Sequence, residues 1–417
     1  MTRQQHIALA LQDVTTPADA FALWPALEES FPGCSLMLAS SQAQAFKIPA
    51  HRVIRHAHLL SGLAADGIFL LNHRIFREME SGRPVPFPVD YTVSFDTSAA
   101  SFLRSLFAGG SHDVHTDFLA LLQSFNGNRL NWDIEPYLWE NAAQIKSGQH
   151  SQEILETALA SERLAALDTK HFLASGQFQF TAPESRLEAA ARKHISDFVS
   201  LSAGDWGRLV RRSQLGLHAG LLKLTLLHLA NPKPGAARQK TKALLRFMDE
   251  DLSSILALLV ALACERFSGG RRAGILDRLQ PGAKNLIQTA RNIAWDIFHR
   301  QHMYQQACVP SLRAEFLVPC FLTFDKHLAA VFDLYPIKAC LVDPRTGFPQ
   351  LFPATSLENL LRDVSTDTSF VSKHLTAEAS QRRADRVENQ PPDLEPLVSR
   401  LEAELGNYDA TAAAPKN

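Results

Sequence analysis

The sequence predicts an α/β protein, rich in helix overall, in which a parallel sheet is flanked by helices. Two short apolar runs, YTVSFD at 91–96 and VPCFLTFD at 318–325, are each followed directly by a helical pattern, which is how a strand–helix unit begins. Between them, from 118 to 296, apolar residues recur at intervals of three and four, which indicates a large helical block. We therefore expect one parallel sheet that is assembled from both ends of the chain.

Length and composition fit a globular protein. The chain has 417 residues, 46% of them hydrophobic, which is enough for one large domain or two ordinary ones. Lys and Arg number 42 and Asp and Glu 43, so no net field attracts the whole molecule to nucleic acid or to an anionic membrane. Any contact with nucleic acid must therefore use a local basic patch.

The cysteines and the apolar segments favour a cytoplasmic protein. The five cysteines are widely spaced, form no C-x-x-C pair and mostly lie in apolar runs, which is typical of reduced, buried thiols. The first residues have too short an apolar stretch for a signal peptide. The most apolar run, 255–264, is well short of the ~20 residues of a membrane span, so we expect no membrane contact.

The first 90 residues predict an α/β region that packs on the core. Short helical patterns accompany one strand, GIFLLN at 67–72, and the region ends in the proline-rich GRPVPFPVD, which excludes a helix. This extended segment leads into the strand at 91–96. Thr97 or Ser98 can then cap the helix that follows.

The period changes again after the helical block. The runs 318–325 and 337–343 are short, apolar and bounded by prolines, and KHLAAVFDLY between them has helical spacing, so the segment predicts strand, helix, strand. Beyond it the composition becomes polar. A short helical pattern returns at 394–405, and the last residues predict a partly disordered tail.

Asp96 and Asp325 each follow one of the predicted strands. In a parallel sheet, the ligand crevice lies outside the carboxyl ends of the strands, and the next helix adds a positive potential there. Either aspartate alone is equally well explained as a helix N-cap. Two aspartates in the same context favour a functional site.

Two further carboxylates extend this group. Asp296 interrupts the helical run ARNIAWDIFHRQH, and Glu140 lies in the run IEPYLWENAAQ; both have apolar neighbours. A partly buried carboxylate requires a cation or a hydrogen-bond donor. The alternative for Asp296 is an exposed helix residue, and the acidic run at 249–251 is an alternative to Glu140.

These residues resemble the PIN-like nucleases. Members of that family have a parallel sheet sandwiched by helices, a first strand that ends in Asp followed by Thr or Ser, and a helical Glu. They also have an Asp at the start of a late helix and a strand that ends in a T-x-D-like motif. This chain offers SFDTSA, WENA, NIAWDIFH and LTFDKHL in that order. The resemblance implies that Asp96, Glu140, Asp296 and Asp325 are the catalytic and metal-binding residues.

The resemblance also implies a domain organisation. The PIN-like nuclease core would comprise 91–160 and 285–345, with a helical insertion at 161–284. The N-terminal region 1–90 would pack on this core, and 346–417 would form a C-terminal extension.

The chemistry that follows is hydrolysis of phosphodiester bonds, with RNA preferred over DNA. Carboxylates that lie side by side repel one another unless a cation is present, and oxygen-only ligands favour Mg²⁺ or Mn²⁺ over zinc. Asp96 and Asp325 would bind the ion directly, and Asp296 and Glu140 would complete the site through water. We therefore expect the carboxylate oxygens to meet within reach of one or two cations. A toxin or defence effector, with a protein partner or inhibitor, is a role that such an enzyme would fit.

One local basic segment, NPKPGAARQKTKALLR, suits contacts with phosphate groups. It carries Lys233, Arg238, Lys240 and Lys242 with no acidic residue before Asp249, so these four are the predicted nucleic-acid-binding residues. The alternative is an ordinary solvated face.

Two other functions are compatible with the sequence. The chain could be a non-enzymatic helical interaction module whose acidic residues only cap helices. Arg212 and His218 also have the spacing of the helical HEPN ribonucleases, which is a weaker signal. The pairs HRQH at 299–302 and HDVH at 112–115 lack a zinc frame, and we expect surface histidines there.

Overall fold

The computed structural model contains two five-stranded sheets, and most of the remaining described residues are helical. The described residues are 3–41, 46–47, 51–54, 56–65, 67–83, 85–86, 89–124, 130–280, 283–309, 314–347, 349–364 and 368–413.

The strands are β1 Ser35–Ala39, β2 Phe46–Lys47, β3 His51–Ile54, β4 Ala57–Ser61, β5 Gly67–Leu71, β6 Val89–Phe95, β7 Leu130–Asp133, β8 Phe316–Thr323, β9 Ile337–Val342 and β10 Pro349–Pro353. The helices up to the middle of the chain are α1 Arg3–Asp13, α2 Pro17–Ser30, α3 His73–Glu80, α4 Thr97–Phe107, α5 His112–Ser124, α6 Glu135–Glu140, α7 Ala142–Ser147, α8 Ser151–Ala165, α9 Thr169–Ser175 and α10 Glu184–Ala203. The remaining helices are α11 Asp205–Ala230, α12 Ala237–Glu250, α13 Ala257–Phe267, α14 Leu286–Gln305, α15 Lys326–Leu334, α16 Leu357–Asp363, α17 Thr368–Leu375, α18 Ala377–Asn389 and α19 Leu394–Ala413.

The sheet that carries the candidate site joins both ends of the chain, as predicted. Its strand order is β3-β4-β8-β6-β7. Strands β6 and β8 run parallel and in register from Val89 opposite Phe316 to Phe95 opposite Leu322. All eight residues of β8 are buried, which matches its nearly continuous apolar sequence and its central place.

The sheet is mixed, so the predicted wholly parallel arrangement is wrong. Strands β7, β6 and β8 are mutually parallel neighbours, but β4 pairs antiparallel with β8, and β3 pairs antiparallel with β4. The antiparallel pair β3–β4 comes from the N-terminal region and covers the outer edge of β8. A PIN-like parallel sheet is therefore not established by this topology.

The predicted strand at 337–343 belongs to the other sheet. It forms β9, which pairs antiparallel with β1 and β10 in the order β10-β9-β1-β5-β2. The predicted strand at 67–72 is confirmed as β5 of the same sheet. Because each sheet combines strands from the N-terminal region with strands from the C-terminal third, the region 1–90 is interleaved with the core.

Helix α14 connects the helical block to the site. It packs against α11 and α19 of the helical layer and also against β8, α6 and α15. It further contacts the short 3₁₀ helix Gly274–Arg278. Its inner face is fully buried, including Ile293, Ala294 and Ile297. The helical block therefore folds back onto the parallel strands.

The C-terminal extension is more ordered than its composition suggests. Helix α18 covers a polar, amphipathic stretch, and α19 continues to Ala413. Residues 414–417 of the predicted tail lie outside the described residues. None of the helices in the described ranges combines the length and the apolar character that crossing a lipid bilayer requires.

Candidate active site

The carboxyl ends of the three parallel strands form one edge that is lined with acids. Asp133 is the last residue of β7, Asp96 follows β6, and Asp325 lies two residues beyond the end of β8. Parallel strands place their carboxyl ends side by side, so the prediction that Asp96 and Asp325 share an edge is confirmed.

Asp96 is buried and fully hydrogen-bonded. It caps α4 itself, in place of the predicted Thr97 or Ser98, and its Oδ1 accepts the Ala99 N–H at 2.6 Å and the Ser98 hydroxyl at 2.7 Å. Its Oδ2 accepts the Thr323 hydroxyl at 2.5 Å. Burial raises the pKa of Asp96 above its ordinary value, although these hydrogen bonds oppose the shift.

Thr323 joins the two strand ends. Besides donating to Asp96, its hydroxyl oxygen accepts the Asp325 N–H at 3.0 Å. Asp325 then caps α15, because its Oδ1 accepts the His327 N–H at 2.7 Å and the Leu328 N–H at 3.3 Å. The T-x-D segment therefore fixes both carboxylates relative to one another.

Glu140 reaches this edge from the end of α6. Its Oε2 accepts the Thr97 hydroxyl and lies 3.7 Å from His299 Nε2. Burial alone would raise the pKa of Glu140, but the His299 imidazole and the Thr97 hydroxyl outweigh burial, and the pKa lies below its ordinary value of 4.5.

Asp296 approaches from α14 on the opposite side. Arg278 Nη2 lies 3.7 Å from Asp296 Oδ2 and 3.6 Å from Asp325 Oδ2, so one guanidinium nitrogen lies close to both carboxylates. Burial, and next the negative charges of Glu140 and Asp96, raise the pKa of Asp296 well above its ordinary value of 3.8. The structure therefore brings all four predicted carboxylates into electrostatic contact.

His299 is the site residue whose environment the sequence misjudged most. The expected surface histidine is completely buried, and neither of its ring nitrogens has a hydrogen-bond partner among the described residues. The Trp295 ring stacks on it at 5.8 Å. A buried imidazole without a hydrogen bond is costly, so its position 3.7 Å from Glu140 Oε2 favours a functional explanation.

A second acid–histidine group lies along the same helix and was missed. His302, also expected at the surface, is buried, and its Nε2 lies 3.3 Å from Glu135 Oε2. Asp133 accepts the Ser94 hydroxyl at 2.6 Å, and burial and the nearby Glu135 charge raise its pKa. The spacing of His299 and His302, three apart on one helix face, was the available signal.

The donor set suits Mg²⁺ or Mn²⁺ in its chemistry but does not form a closed coordination shell. Within the described residues, no three His, Cys, Asp or Glu side chains are arranged so that they could hold one metal ion. The site nevertheless consists of carboxylate oxygens. Burial, and next the charges of Glu140 and Asp96, raise the pKa of Asp296, and a cation would oppose both effects. Because these side chains do not close around one point, a cation here would be held partly through water by Asp296, Asp325 and Glu140. Both oxygens of Asp96, the expected direct ligand, already accept hydrogen bonds.

The acidic run at 249–251, the alternative to Glu140, does not join the site. Asp249 is engaged on the C-terminal extension, where His374 Nδ1 lies 2.6 Å from its Oδ2 and Arg386 Nη2 donates to its Oδ1 at 2.7 Å. Asp251 lies 4.0 Å from Arg400. Glu140 is therefore the carboxylate that accompanies the other three.

The predicted basic patch is only partly available. Lys233 and Arg238 are exposed, but Lys240 is buried and its Nζ donates to Asn231 O at 2.8 Å. Lys242 Nζ lies over the Phe370 ring at 5.1 Å. The expected phosphate contact of Lys240 is not supported, because its charge is used to hold the preceding loop.

The Arg212–His218 pair also lacks support as an active site. His218 is buried, its Nε2 lies 3.7 Å from Glu402 Oε1, and burial lowers its pKa to about 4. A histidine in that setting is not open to an RNA substrate.

The chain matches no protein-family model, no curated protein and no solved structure at a significant level. Its function must therefore be inferred from its own side chains.

Proposed function

We propose that this chain is a metal-dependent nuclease that hydrolyses phosphodiester bonds, in RNA rather than DNA, at the acidic edge of the mixed sheet. The observation that supports the proposal is the meeting of Asp96, Glu140, Asp296 and Asp325, which come from four separate segments. Burial, and next the charges of Glu140 and Asp96, raise the pKa of Asp296, so the ionised group is held there at a cost in free energy. Proteins tolerate such repulsion chiefly where a site uses it.

Helix capping explains only half of this group. Asp96 and Asp325 cap α4 and α15, as the interaction-module alternative requires. Glu140 and Asp296 are not N-caps, yet both turn toward the same edge. Capping by itself gives no reason for these two residues to approach the others.

The chain's own residues have separable tasks in this proposal. A bound divalent cation would neutralise charge on the scissile phosphate and lower the pKa of an attacking water. The Thr323 and Ser98 hydroxyls and the Ala99 N–H hold Asp96 in place. Arg278, half-exposed beside Asp296 and Asp325, would contact a phosphate oxygen. His299 would orient Glu140 by donating a proton toward its Oε2.

The decisive experiment is cleavage of end-labelled single-stranded RNA and DNA by the purified full chain with Mn²⁺ or Mg²⁺. The variants are Asp96→Asn, Glu140→Gln, Asp296→Asn and Asp325→Asn, each nearly isosteric with the original residue. We expect cleavage of RNA to exceed that of DNA and each variant to lose at least about 100-fold in rate.

The matched control is Asp168→Asn, because Asp168 caps α9 through the His171 N–H at 2.9 Å and lies outside the acidic edge. This variant should cleave at the wild-type rate. If the four site variants cleave as fast as the control, the edge is not an active site and the interaction-module function is favoured. Loss of activity on addition of EDTA, restored by Mn²⁺, is the expected sign of metal dependence.

A further inference from the structure

A cavity separate from the acidic edge lies between the two sheets. Its volume is about 490 Å³, and a neighbouring cavity of about 280 Å³ shares part of its wall. The larger one begins at the end of β4, where Ser61 and Gly62 lie, and reaches the start of β9 at Ile337. A volume of this size accommodates a small organic molecule.

Arg300 lines both cavities and is buried without an acidic partner. Its side chain is only 3% exposed, and no Asp or Glu of the described residues forms an ion pair with it. Its Nη2 donates to Tyr335 O at 2.5 Å and to Phe332 O at 3.3 Å, at the carboxyl end of α15. These carbonyls offset only part of a full positive charge.

The guanidinium retains unused donor capacity. Arg300 Nε is buried and has no hydrogen-bond partner among the described residues. The Phe332 ring lies 5.2 Å from the guanidinium carbon, so it covers one face of the planar group. A planar guanidinium with free N–H groups is well suited to a carboxylate or a phosphate.

The rest of the wall is preformed and mostly apolar. Tyr304 donates its hydroxyl proton to Gly62 O at 2.6 Å, and a Cβ atom at Gly62 would lie only 2.9 Å from the Tyr304 ring. Glycine therefore permits the close contact that shapes this wall. The apolar lining residues are Leu60, Leu63, Phe332, Pro336 and Ile337. One acid, the exposed Asp333, also lines this cavity.

We propose that this cavity binds a small molecule with one carboxylate or phosphate group, held by Arg300, and an apolar body, held by the lining side chains. Such a ligand would supply the counter-charge that Arg300 lacks and would remove apolar surface from water. The proposal is independent of the nuclease function, because it involves none of the four carboxylates.

The experiment uses the full chain and three probes of similar size: benzoate, phenyl phosphate and the neutral benzamide. Affinity is measured by isothermal titration calorimetry, and thermal unfolding gives a second readout. We expect both oxyanions to bind at least about 10-fold more tightly than benzamide and to raise the melting temperature. The tighter of the two oxyanions identifies whether a carboxylic acid or a phosphate ester is the natural class.

Two variants and a control locate the binding. Arg300→Lys keeps the charge but removes the planar group, and Ala64→Trp fills the exposed rim without touching Arg300. Both should lose oxyanion binding. Arg383→Lys, which alters another buried arginine that donates to a helix carbonyl, His374 O at 2.7 Å, should bind normally. The proposal is overturned if wild type binds the oxyanions no better than benzamide, or if Ala64→Trp binds them unchanged.

Discussion

Asp296 is expected to lower the stability of the fold and, in the proposed function, to take part in catalysis. Burial, and next the charges of Glu140 and Asp96, disfavour its ionised form, while the nearby Arg278 guanidinium favours it. Folding raises the pKa of Asp296, so the folded state binds its proton more tightly than the unfolded state does. The free energy of unfolding is therefore highest below pH 3.8 and falls as the pH rises through the raised pKa.

Asp296→Asn, which is neutral at every pH, should therefore gain stability over wild type as the pH increases. We expect the difference in the free energy of unfolding, measured with urea, to be larger at about pH 8 than at about pH 5. Added Mn²⁺ should reduce that difference, because the cation stabilises only the wild-type carboxylate. A difference that is the same at both pH values would contradict this assignment, and Asp251→Asn serves as an exposed control.

His299 should set the charge state of Glu140. Removal of the imidazole in His299→Leu takes away the partner that holds the pKa of Glu140 below 4.5, so that pKa should rise. The acidic limb of the plot of kcat/KM against pH should then move to higher pH. A merely structural loss would lower cleavage equally at all pH values.

The control for this prediction is His115→Leu. His115 is also partly buried against aromatic rings, at 5.1 Å from Phe172 and 5.2 Å from Phe178, but it lies outside the acidic edge. Its pH profile should equal that of wild type. His299→Gln, which keeps a polar group beside Glu140, should show a smaller shift than His299→Leu.

At the scale of elements, Asp325 combines a capping role with the proposed catalytic role, and the two can be separated. Asn also caps helices well, whereas Ala does not. Asp325→Asn should thus keep α15 intact and lose cleavage, while Asp325→Ala should lose cleavage and also about 0.5–2 kcal/mol of stability.

Thermal and urea unfolding of the two variants, alongside the cleavage assay, test this separation. If Asp325→Asn retains full activity while Asp325→Ala is merely unstable, Asp325 is only a cap.

Helix α14 contributes residues to both proposed sites. Asp296 and His299 face the acidic edge, while Arg300 and Tyr304 line the cavity.

At the scale of the whole molecule, one buried ionic network attaches the C-terminal extension to the helical layer. Asp249 of α12 is bound by His374 of α17 and by Arg383 and Arg386 of α18. Burial alone would raise the pKa of Asp249, but the hydrogen bonds from His374 and Arg386 outweigh burial and lower it. Its contribution to stability is therefore present above about pH 4 and is lost as the pH falls.

Asp249→Ala should destabilise the chain by about 3–5 kcal/mol, because it leaves the buried Arg383 guanidinium without its acidic partner. Urea unfolding at neutral pH measures the loss. Asp251→Ala, two residues away in an exposed pair at 4.0 Å from Arg400, should cost less than about 1 kcal/mol. Equal losses in the free energy of unfolding for the two variants would show that this network does not stabilise the packing of the C-terminal extension on the helical layer.

What the sequence determined by itself is largely local. The apolar runs at 91–96 and 318–325 predicted β6 and β8, and the helical period predicted the long block between them, because neighbouring residues fix strand and helix spacing. The position of an aspartate after each strand also predicted that Asp96 and Asp325 share an edge. Glu140 and Asp296 were suggested by their apolar neighbours and by the order of short motifs, but neither signal predicted where they lie in space.

What only the tertiary structure decided depends on contacts between distant segments. The antiparallel pair β3–β4 makes the sheet mixed, and β9 joins the other sheet, since the choice of neighbouring strand is a matter of packing. The burial of His299 likewise depends on a segment far away in the chain, which places Glu140 beside it. The four carboxylates meet because β8 pairs with β6 and α14 packs on β8 and α6, and no local pattern encodes these contacts.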